Sequence, residues 1–575
     1  MQSDAFWRET MALAESGRLD EALAAARTRL RIRPRDPASS ALLGRLLLAA
    51  GRPDQALPQL QRSVELAPRD PAFQNNLGTC LAAVGRHADA VRAFRAALSV
   101  DESMVASWVG LAASQFALGQ SDDGLESSGR AFALAPAMPP VVLCRFDALL
   151  RGRSPAAAVE MCRAHLAAHP GDAVTRSRML FATNYLDADP AAVASEHREY
   201  GARLPAPSPP PARTGPGPLR VGILSSDLRG HSVGFFVDAF LRERPADVEF
   251  IVFSCAPAHW EDDFMRHLRG LVQGWHSVDR LDDAALDALI RRERIDVLLE
   301  LNGHSSHNRL PALARQPAPA VVTMIGYPNT TGLPAVGWRV VDSVTDPPGS
   351  EWMCTERLVR LDPCFLCYTP PADAPEPSMP ADGEPVTFGS FNNALKVGDR
   401  SVQLWSKALH AVPGSRILLK SSGQDGEFMR RGVLARFEAN GIAADRVLFE
   451  SHARGFADHL RLYSRIHVAL DTVPYNGTTT TCEALWMGVP VVALLGDRHA
   501  SRVSASLLRA AGCGEWVASS DGEFAATAAR LASDRAGLAA LRSGLRGRLR
   551  ASALLDARAY SARLVDALRL LYSPR

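Results

Sequence analysis

Long apolar runs and cysteines are both scarce in this sequence, and each absence excludes a class of protein. No apolar run approaches the roughly 18 residues of a membrane-spanning helix, so we expect no such helix. The first residues carry neither a basic start nor an apolar segment, which argues against export. Nine cysteines in 575 residues, an odd number without a framework spacing, indicate reduced thiols in a cytoplasmic protein.

An excess of charge of one sign is also missing. The 64 Lys and Arg residues against 62 Asp and Glu residues give a formal net charge of +2. This balance offers no electrostatic argument for a nucleic-acid or membrane-surface partner, and we expect neither. With 47% apolar and 22% charged residues, the composition is that of a globular protein. Its length predicts about four structural units.

The first third of the chain repeats with a step of 34 residues. The step is kept by proline at Pro34, Pro68, Pro136 and Pro170, by glycine at Gly17, Gly51, Gly85 and Gly119, and by small residues at Ala22, Ala56, Ala90, Gly124 and Ala158. A pair of short helices per repeat explains all three columns. The glycine ends the first helix, the small residue lets the second helix pack closely, and the proline ends it.

This pattern resembles the tetratricopeptide repeat, in about five copies over residues 5–172. A plain helical bundle is the alternative, but it would not keep so strict a register. We therefore assign residues 1–172 to a repeat solenoid, whose concave surface would hold an extended partner. Residues 173–218 are predicted as a helical extension and a linker, because residues 204–218 hold too much proline and glycine to continue a helix.

Beyond residue 218, short β-branched runs alternate with amphipathic segments, which predicts parallel strands joined by crossover helices. Two such sets are separated by a Pro-rich stretch near residues 365–385. We therefore predict two Rossmann-like halves, residues 219–380 and 381–552, followed by a C-terminal helix in residues 553–575. Two such halves place a ligand cleft between them, as in the GT-B architecture of many nucleotide-sugar transferases.

The most informative stretch follows a predicted strand that ends near Asp471. A Gly-containing, hydroxyl-rich turn from Asn476 leads into a helix that is predicted to begin at about Thr480. Free backbone N–H groups and the positive end of the helix dipole suit a diphosphate there. The alternative is that the threonines are only N-caps, but capping needs one hydroxyl and this turn has four.

Lys396 is the second element of the predicted donor site. It follows the first strand of the second half, so it can bring one cation to the same diphosphate and stabilise the departing nucleotide. Glu483, one turn into the helix, could accept hydrogen bonds from ribose hydroxyls. A surface lysine is more often solvated, and its place at a strand end is what favours the functional interpretation.

Together these stretches resemble a bacterial member of the O-GlcNAc transferase family. The matching stretches are residues 225–231, 302–303, 326–332, 391–396, 470–472, 476–480 and 500–506. With the repeats, the resemblance covers nearly the whole chain in the family's domain order. It implies a metal-independent, inverting transfer of N-acetylglucosamine from UDP to Ser or Thr hydroxyls of proteins, without a cofactor and with acceptors along the repeat groove.

The resemblance also implies a donor site. Its residues are Ile325, Pro328, Asn393, Lys396, His459, Asn476, Gly477, Thr478, Thr479, Thr480 and Glu483. Lys396 and the threonines would contact the diphosphate, His459 would lie against the uracil, and Glu483 would bind the ribose. Asn393 falls near the nucleotide, and Ile325 and Pro328 would line the sugar pocket.

Three positions depart from the animal enzymes. Thr478 stands where they carry a histidine, Leu395 where they carry a tyrosine, and Phe456 where they carry a lysine near the nucleotide. The main alternative is therefore the same fold with another donor or acceptor, either GDP-fucose used on Ser/Thr or UDP-glucose used on Asn. A repeat scaffold without activity is a further alternative.

His231 is the candidate catalytic base, because a neutral imidazole titrates near working pH and this one follows the first strand of the first half. A donor phosphate oxygen could take the proton instead, and His231 could merely cap the next helix. His304 and His307 are interpreted as loop residues without catalytic duty. No metal site is expected: Cys364 and Cys367 form a lone CxxC, and the only Asp-x-Asp pair, residues 187–189, lies outside both sheets.

Overall fold

The computed structural model describes residues 2–209, 211, 217–381, 383–420, 427–450 and 455–572, without the side chains of residues 2–4, 427–429 and 572. Residues 210 and 212–216 of the predicted linker thus lie outside the described residues. Met1–His165 belong to one compact unit, and residues 166–422 and 431–575 make up a second. The domain boundaries expected from the sequence stay predictions.

Ten consecutive helices occupy residues 2–168. They are α1 (Gln2–Glu15), α2 (Leu19–Ile32), α3 (Pro37–Ala49), α4 (Pro53–Leu66), α5 (Pro71–Ala83), α6 (His87–Val100), α7 (Val105–Ala117), α8 (Ser121–Leu134), α9 (Pro139–Arg151) and α10 (Pro155–Ala168). The expected glycines end the first helix of a pair in a left-handed conformation, with φ of 84° at Gly17, 69° at Gly51, 77° at Gly85 and 75° at Gly119. In the fifth repeat, Arg153 takes the same position with φ of 56°.

Small residues let these helices approach one another. A Cβ added at Gly78 or Gly110 would lie 2.8 or 2.3 Å from the Phe94 ring, which fills the space between α5 and α7. Ala56 and Ala90, in the small-residue column, are fully buried. The repeat solenoid predicted from the 34-residue step is confirmed.

The second unit begins with α11 (Ala173–Thr183) and α12 (Pro190–Ala202) and contains two parallel sheets. The strands of the first sheet are β1 (Leu219–Ser225), β2 (Val248–Ser254), β3 (Gly274–Ser277), β4 (Val297–Glu300), β5 (Ala320–Thr323), β6 (Trp338–Val341) and β7 (Arg357–Arg360). Those of the second are β8 (Thr387–Ser390), β9 (Arg416–Lys420), β10 (Val447–Glu450), β11 (Val468–Leu470), β12 (Val491–Leu494) and β13 (Val517–Ala518).

Helices connect and cover these strands. They are α13 (Ser232–Arg242), α14 (Asp263–Arg269), α15 (Asp283–Arg292), α16 (Leu310–Leu313), α17 (Asp399–Ala411), α18 (Glu427–Ala439), α19 (Phe456–Arg461), α20 (Thr479–Trp486), α21 (Val503–Ala510), α22 (Asp521–Ser533), α23 (Arg535–Arg550) and α24 (Ala557–Tyr572). The Tyr560 hydroxyl on α24 donates to the carbonyl of Phe365 at 2.7 Å, and the Ser561 hydroxyl donates to that of Phe240 on α13 at 3.3 Å. The last helix therefore packs against the first half.

Both sheets have the strand order of a Rossmann fold. The first runs β3-β2-β1-β4-β5-β6-β7 and the second β10-β9-β8-β11-β12-β13, so the chain reverses direction between β1 and β4 and between β8 and β11. Ligands bind outside the carboxyl ends of parallel strands at such a switch point. The loop after β1 holds His231, and the loops after β8 and β11 hold Asn393, Lys396 and the start of the threonine run. Ile325 and Pro328 follow β5. The two-half GT-B prediction is confirmed.

Helices α11 and α12 pack against the loops at the end of the first sheet. The Tyr327 hydroxyl accepts from the Asn184 amide at 3.1 Å and lies 2.8 Å from Nε2 of His197. A Cβ at Gly201 would lie 1.8 Å from the carbonyl oxygen of Gly332, so glycine is required for this close approach.

Candidate active site

Lys396 lies over the loop between β11 and α20 in the second half. Its Nζ donates to the carbonyl oxygen of Asn476 at 2.6 Å and stands 3.8 Å from the centroid of the Tyr475 ring. Burial lowers the pKa of this ammonium to about 8, and the nearby carboxylate of Asp471 opposes the shift. The lysine is thus held as a poorly solvated cation at the predicted phosphate position.

Buried side chains shape the loop below Lys396. Asp471 directly follows β11, and its Oδ1 accepts from the backbone N–H of Gly477 at 2.7 Å. Asn392, at the end of β8, accepts from the Thr480 hydroxyl at 2.8 Å. A Cβ at Gly477 would lie 2.7 Å from Oγ1 of Thr480, so the tight turn leaves room only for glycine.

Three buried polar atoms at this loop have no hydrogen-bond partner within the described residues: Oδ2 of Asp471, Oδ1 of Asn476 and Oγ1 of Thr479. Unpaired buried polar groups are rare in native proteins because each costs about 1–3 kcal/mol. Thr478 precedes α20, yet within the described chain its side chain makes no capping hydrogen bond. The N-cap interpretation therefore does not account for this threonine run, whereas a polar ligand would satisfy the unpaired groups.

His459 and Glu483 form a second cluster in the same half. His459 Nε2 lies 2.9 Å from Oε2 of Glu483, and the Tyr463 hydroxyl donates to the same oxygen at 3.3 Å. On the other side of the ring, Nζ of Lys420 lies 2.6 Å from His459 Nδ1. Phe391 flanks the cluster, with ring centroids 6.3 Å from His459 and 4.8 Å from Tyr463.

Asn393 supports the turn that carries Lys396. Its side chain accepts from the backbone N–H of Leu395 at 3.0 Å and is exposed. In the first half, Ile325 follows β5 with φ of 63°, an unusual conformation for a β-branched residue, and Pro328 is buried. Glu356 accepts from the backbone N–H of Thr331 at 2.7 Å and holds the loop that contains Pro328.

His231 caps α13. Its Nδ1 accepts from the backbone N–H of Val233 at 3.4 Å and lies 3.9 Å from Oδ1 of Asp227. Burial lowers the pKa of this imidazole, and the Asp227 carboxylate opposes the shift. A neutral imidazole that accepts at Nδ1 carries its hydrogen on Nε2 and is therefore a donor at that nitrogen. This geometry agrees with the alternative in which His231 caps the helix. The assignment of His231 as the catalytic base stays a prediction.

The other motifs noted in the sequence have structural partners. His304 is buried, with Nδ1 2.9 Å from the Ser177 hydroxyl and Nε2 2.9 Å from the carbonyl of Thr331. Asp189 caps α12, and Cys364 and Cys367 are buried free thiols. Among the described residues, no group of three or more His, Cys, Asp or Glu could hold a metal ion. None of the described helices is long and apolar enough to cross a membrane.

In the second half, the predicted residues form two neighbouring clusters. Lys396, Asn476 and the threonines lie together, and His459 and Glu483 lie beside them on α19 and α20. Within the described chain, no hydrogen bond or ring contact joins His231, Ile325 or Pro328 to these residues. The sequence interpretation missed Lys420, Tyr463 and Asn392, although Lys420 ends a strand of the same sheet as Lys396.

Two Rossmann-like halves, with a cationic, hydroxyl-lined pocket at the strand ends of the second, define a protein of GT-B architecture. The chain belongs to glycosyl transferase family 41, whose model matches residues 208–368 and 378–564. A tetratricopeptide repeat model matches residues 41–103.

Similar proteins carry related names. A probable UDP-N-acetylglucosamine–peptide N-acetylglucosaminyltransferase of Arabidopsis thaliana, SPINDLY, is 38% identical over 362 residues, which are 62% of this chain and 39% of that protein. A second Arabidopsis thaliana protein of the same description, SEC, is 29% identical over 57% of this chain and 34% of its own length. The chain thus spans about two-fifths of the curated relatives it matches.

A solved structure is similar over nearly the whole chain. It is a lysine-to-methionine variant of the O-GlcNAc transferase of Thermobaculum terrenum, 32% identical, and the match covers 99% of this chain and 97% of that one with a TM-score of 0.67. The similarity therefore includes the repeats as well as the two sheets.

Proposed function

We propose that the chain transfers N-acetylglucosamine from UDP-GlcNAc to Ser or Thr hydroxyls of proteins. The transfer would proceed with inversion and without a metal ion or other cofactor, and the repeats would present the acceptor. Membership of family 41 and the descriptions of SPINDLY and SEC as N-acetylglucosaminyltransferases support a glycosyl-transfer reaction. The bacterial source expected from the sequence stays a prediction.

The observation that carries the proposal is the unsatisfied polar pocket below Lys396. A diphosphate would accept from the Thr479 hydroxyl, the one unpaired donor at this loop, and from the buried ammonium of Lys396. The unpaired oxygens of Asp471 and Asn476 are acceptors, so they need a donor such as a hydroxyl of the nucleotide-sugar. The positive end of α20 and one ammonium would balance the charge that develops on the departing UDP. In this proposal, the helix terminus and the ammonium supply the positive charge that a metal ion supplies in other nucleotide-sugar transferases.

For the acceptor side, we propose that His231 binds the acceptor hydroxyl through its Nε2–H, and that a donor phosphate oxygen takes the proton. The capping contact with Val233 supports this division of roles, because it commits Nδ1 as an acceptor. Asparagine is a good N-cap residue, so His231→Asn should keep the helix start and retain more activity than His231→Ala. Equal loss of kcat in both variants, at equal stability, would restore His231 as the base.

The first experiment is donor turnover by the purified chain in the presence of EDTA. UDP-GlcNAc, UDP-glucose and GDP-fucose are compared, with Lys396→Ala as the test variant. We expect nucleotide release from UDP-GlcNAc alone, reduced at least about hundredfold by Lys396→Ala, as for other groups that stabilise a transition-state charge. Lys407→Ala is the matched control, because Lys407 pairs with Asp521 away from the pocket.

Three other results of this experiment would each change a different part of the proposal. Preference for UDP-glucose or GDP-fucose would keep the fold and the pocket but replace the donor. Activity restored only by adding a divalent cation would contradict metal independence. The absence of both turnover and nucleotide binding would leave the repeat scaffold as the functional part of the chain.

A further inference from the structure

Lysine is very rare in this chain, which holds only Lys396, Lys407 and Lys420. Lys407 is exposed and pairs with Asp521. Lys396 and Lys420 both lie at carboxyl ends on the second sheet, after β8 and at the end of β9, which are neighbouring strands. Lys396 belongs to the diphosphate pocket, whereas Lys420 has no role in the site described so far.

The partner of Lys420 is a histidine and not a carboxylate. Its Nζ lies 2.6 Å from Nδ1 of His459, and the opposite nitrogen of that ring lies 2.9 Å from Oε2 of Glu483. An ammonium can only donate, so Nδ1 must accept, and the hydrogen of a neutral ring must then lie on Nε2. His459 therefore donates to Glu483, and both ring nitrogens are committed to the protein.

This arrangement limits what His459 can offer a ligand. With both nitrogens occupied, His459 can contact a flat, aromatic base only through a face of its ring. The side chains of His459 and Glu483 are 11% and 5% exposed, so the ring has little freedom to turn. The Lys420 charge also balances that of the Glu483 carboxylate.

We propose that Lys420 is a positioning residue for the nucleotide: it holds His459 as a neutral, oriented platform for the nucleobase. The inference rests on the proposed function, because it assumes that the donor carries a nucleoside diphosphate. Lys420 touches neither the sugar nor the reacting bond in this account. It should therefore set the affinity for the nucleotide and leave the chemical step unchanged.

Loss of Lys420 should also release the His459 ring from its single tautomer. The polar groups that face the ring, among the described residues, are Lys420 from β9, Glu483 from α20 and Tyr463 from the turn after α19. Burial lowers the pKa of the Lys420 ammonium, and the charge of Glu483 opposes that shift. Without the ammonium, Nδ1 loses its donor, and the ring is no longer held in one orientation by both of its nitrogens.

The test compares Lys420→Met, which keeps the length of the chain but cannot donate, with Lys420→Arg, which can. We expect Lys420→Met to raise both the KM for UDP-GlcNAc and the Kd for UDP about tenfold, as for one charge-assisted hydrogen bond, with kcat within about twofold. The Lys420→Arg variant should recover most of the affinity.

Nitrogen NMR of histidine-labelled protein provides a readout that does not need turnover. His459, assigned with His459→Asn, should be the Nε2–H tautomer in the unaltered chain and should populate both tautomers in Lys420→Met. An unchanged KM and tautomer in Lys420→Met, or a loss confined to kcat, would overturn the inference while donor turnover by the unaltered chain still stood. Failure of the unaltered chain to bind UDP would instead count against the proposed function.

Discussion

Lys396 is a candidate site residue whose charge depends on pH in the range where activity can be measured. Its pKa in the folded protein is lowered to about 8 from an ordinary value of 10.5, so the cation is lost as the pH rises through about 8. If the cation stabilises the departing nucleotide, kcat/KM should fall above that pH, because this ratio reports ionisations of the free enzyme. Bound phosphates favour the cation, so the fall in kcat should occur at higher pH.

The check is the pH profile of UDP release, with Lys396→Arg as the comparison. A guanidinium stays charged throughout this range, so any remaining activity of that variant should lose the alkaline fall. A profile of the unaltered chain that is flat between about pH 7 and 9 would show that the lysine is not titrating there or is not needed as a cation.

Among the elements, runs of apolar residues predict most of the strands that the structure describes. The runs at residues 219–225 and 416–420 predict β1 and β9 with their observed bounds. The strands β3, β6, β7 and β13 were missed, since they are short and lie at or next to a sheet edge. The Gly-Trp-His-Ser sequence of β3 contains no apolar run, and its pairing with β2 alone makes it a strand.

In the candidate site, too, some residues could be predicted from the sequence and others could not. The threonine loop and Lys396 could be predicted because each lies in one continuous stretch with a strand before it. Lys420 could not, because its meaning depends on His459 and Glu483, which come from two later elements. Parallel pairing of β8 with β9 and β11 brings these elements to one edge, and no spacing along the chain records that.

In the second unit, both polar and aromatic contacts join the two Rossmann-like halves. One is a buried polar seam, in which Nδ1 of His499 lies 2.5 Å from Oδ2 of Asp346 and the Arg502 side chain donates to the carbonyl of Val344 at 2.6 Å. The other is aromatic: Phe235 on α13 stacks on Phe456 of α19, with ring centroids 5.6 Å apart and ring planes 25° apart.

The aromatic contact connects the two sides of the predicted reaction. Helix α13 starts at the His231 cap, and Phe456 lies 6.0 Å from the His459 ring. The resemblance implies that Phe456 stands where the animal enzymes carry a lysine, so this contact would replace a charge with a stack. We infer that it holds the acceptor side at a fixed distance from the nucleotide, a geometry on which transfer depends steeply.

A double-mutant cycle in kcat/KM for UDP-GlcNAc tests this connection. Phe235→Ala and Phe456→Ala should each lower kcat/KM about three- to tenfold, the range expected for an aromatic pair. The double variant should be no worse than the worse single one, because either change alone already removes the stack. The control cycle pairs Phe235 with Phe391, which contacts His459 and Tyr463 from within the second half. That control pair should be additive. Additive losses for Phe235 and Phe456 as well would show that the stack fills space without coupling the halves.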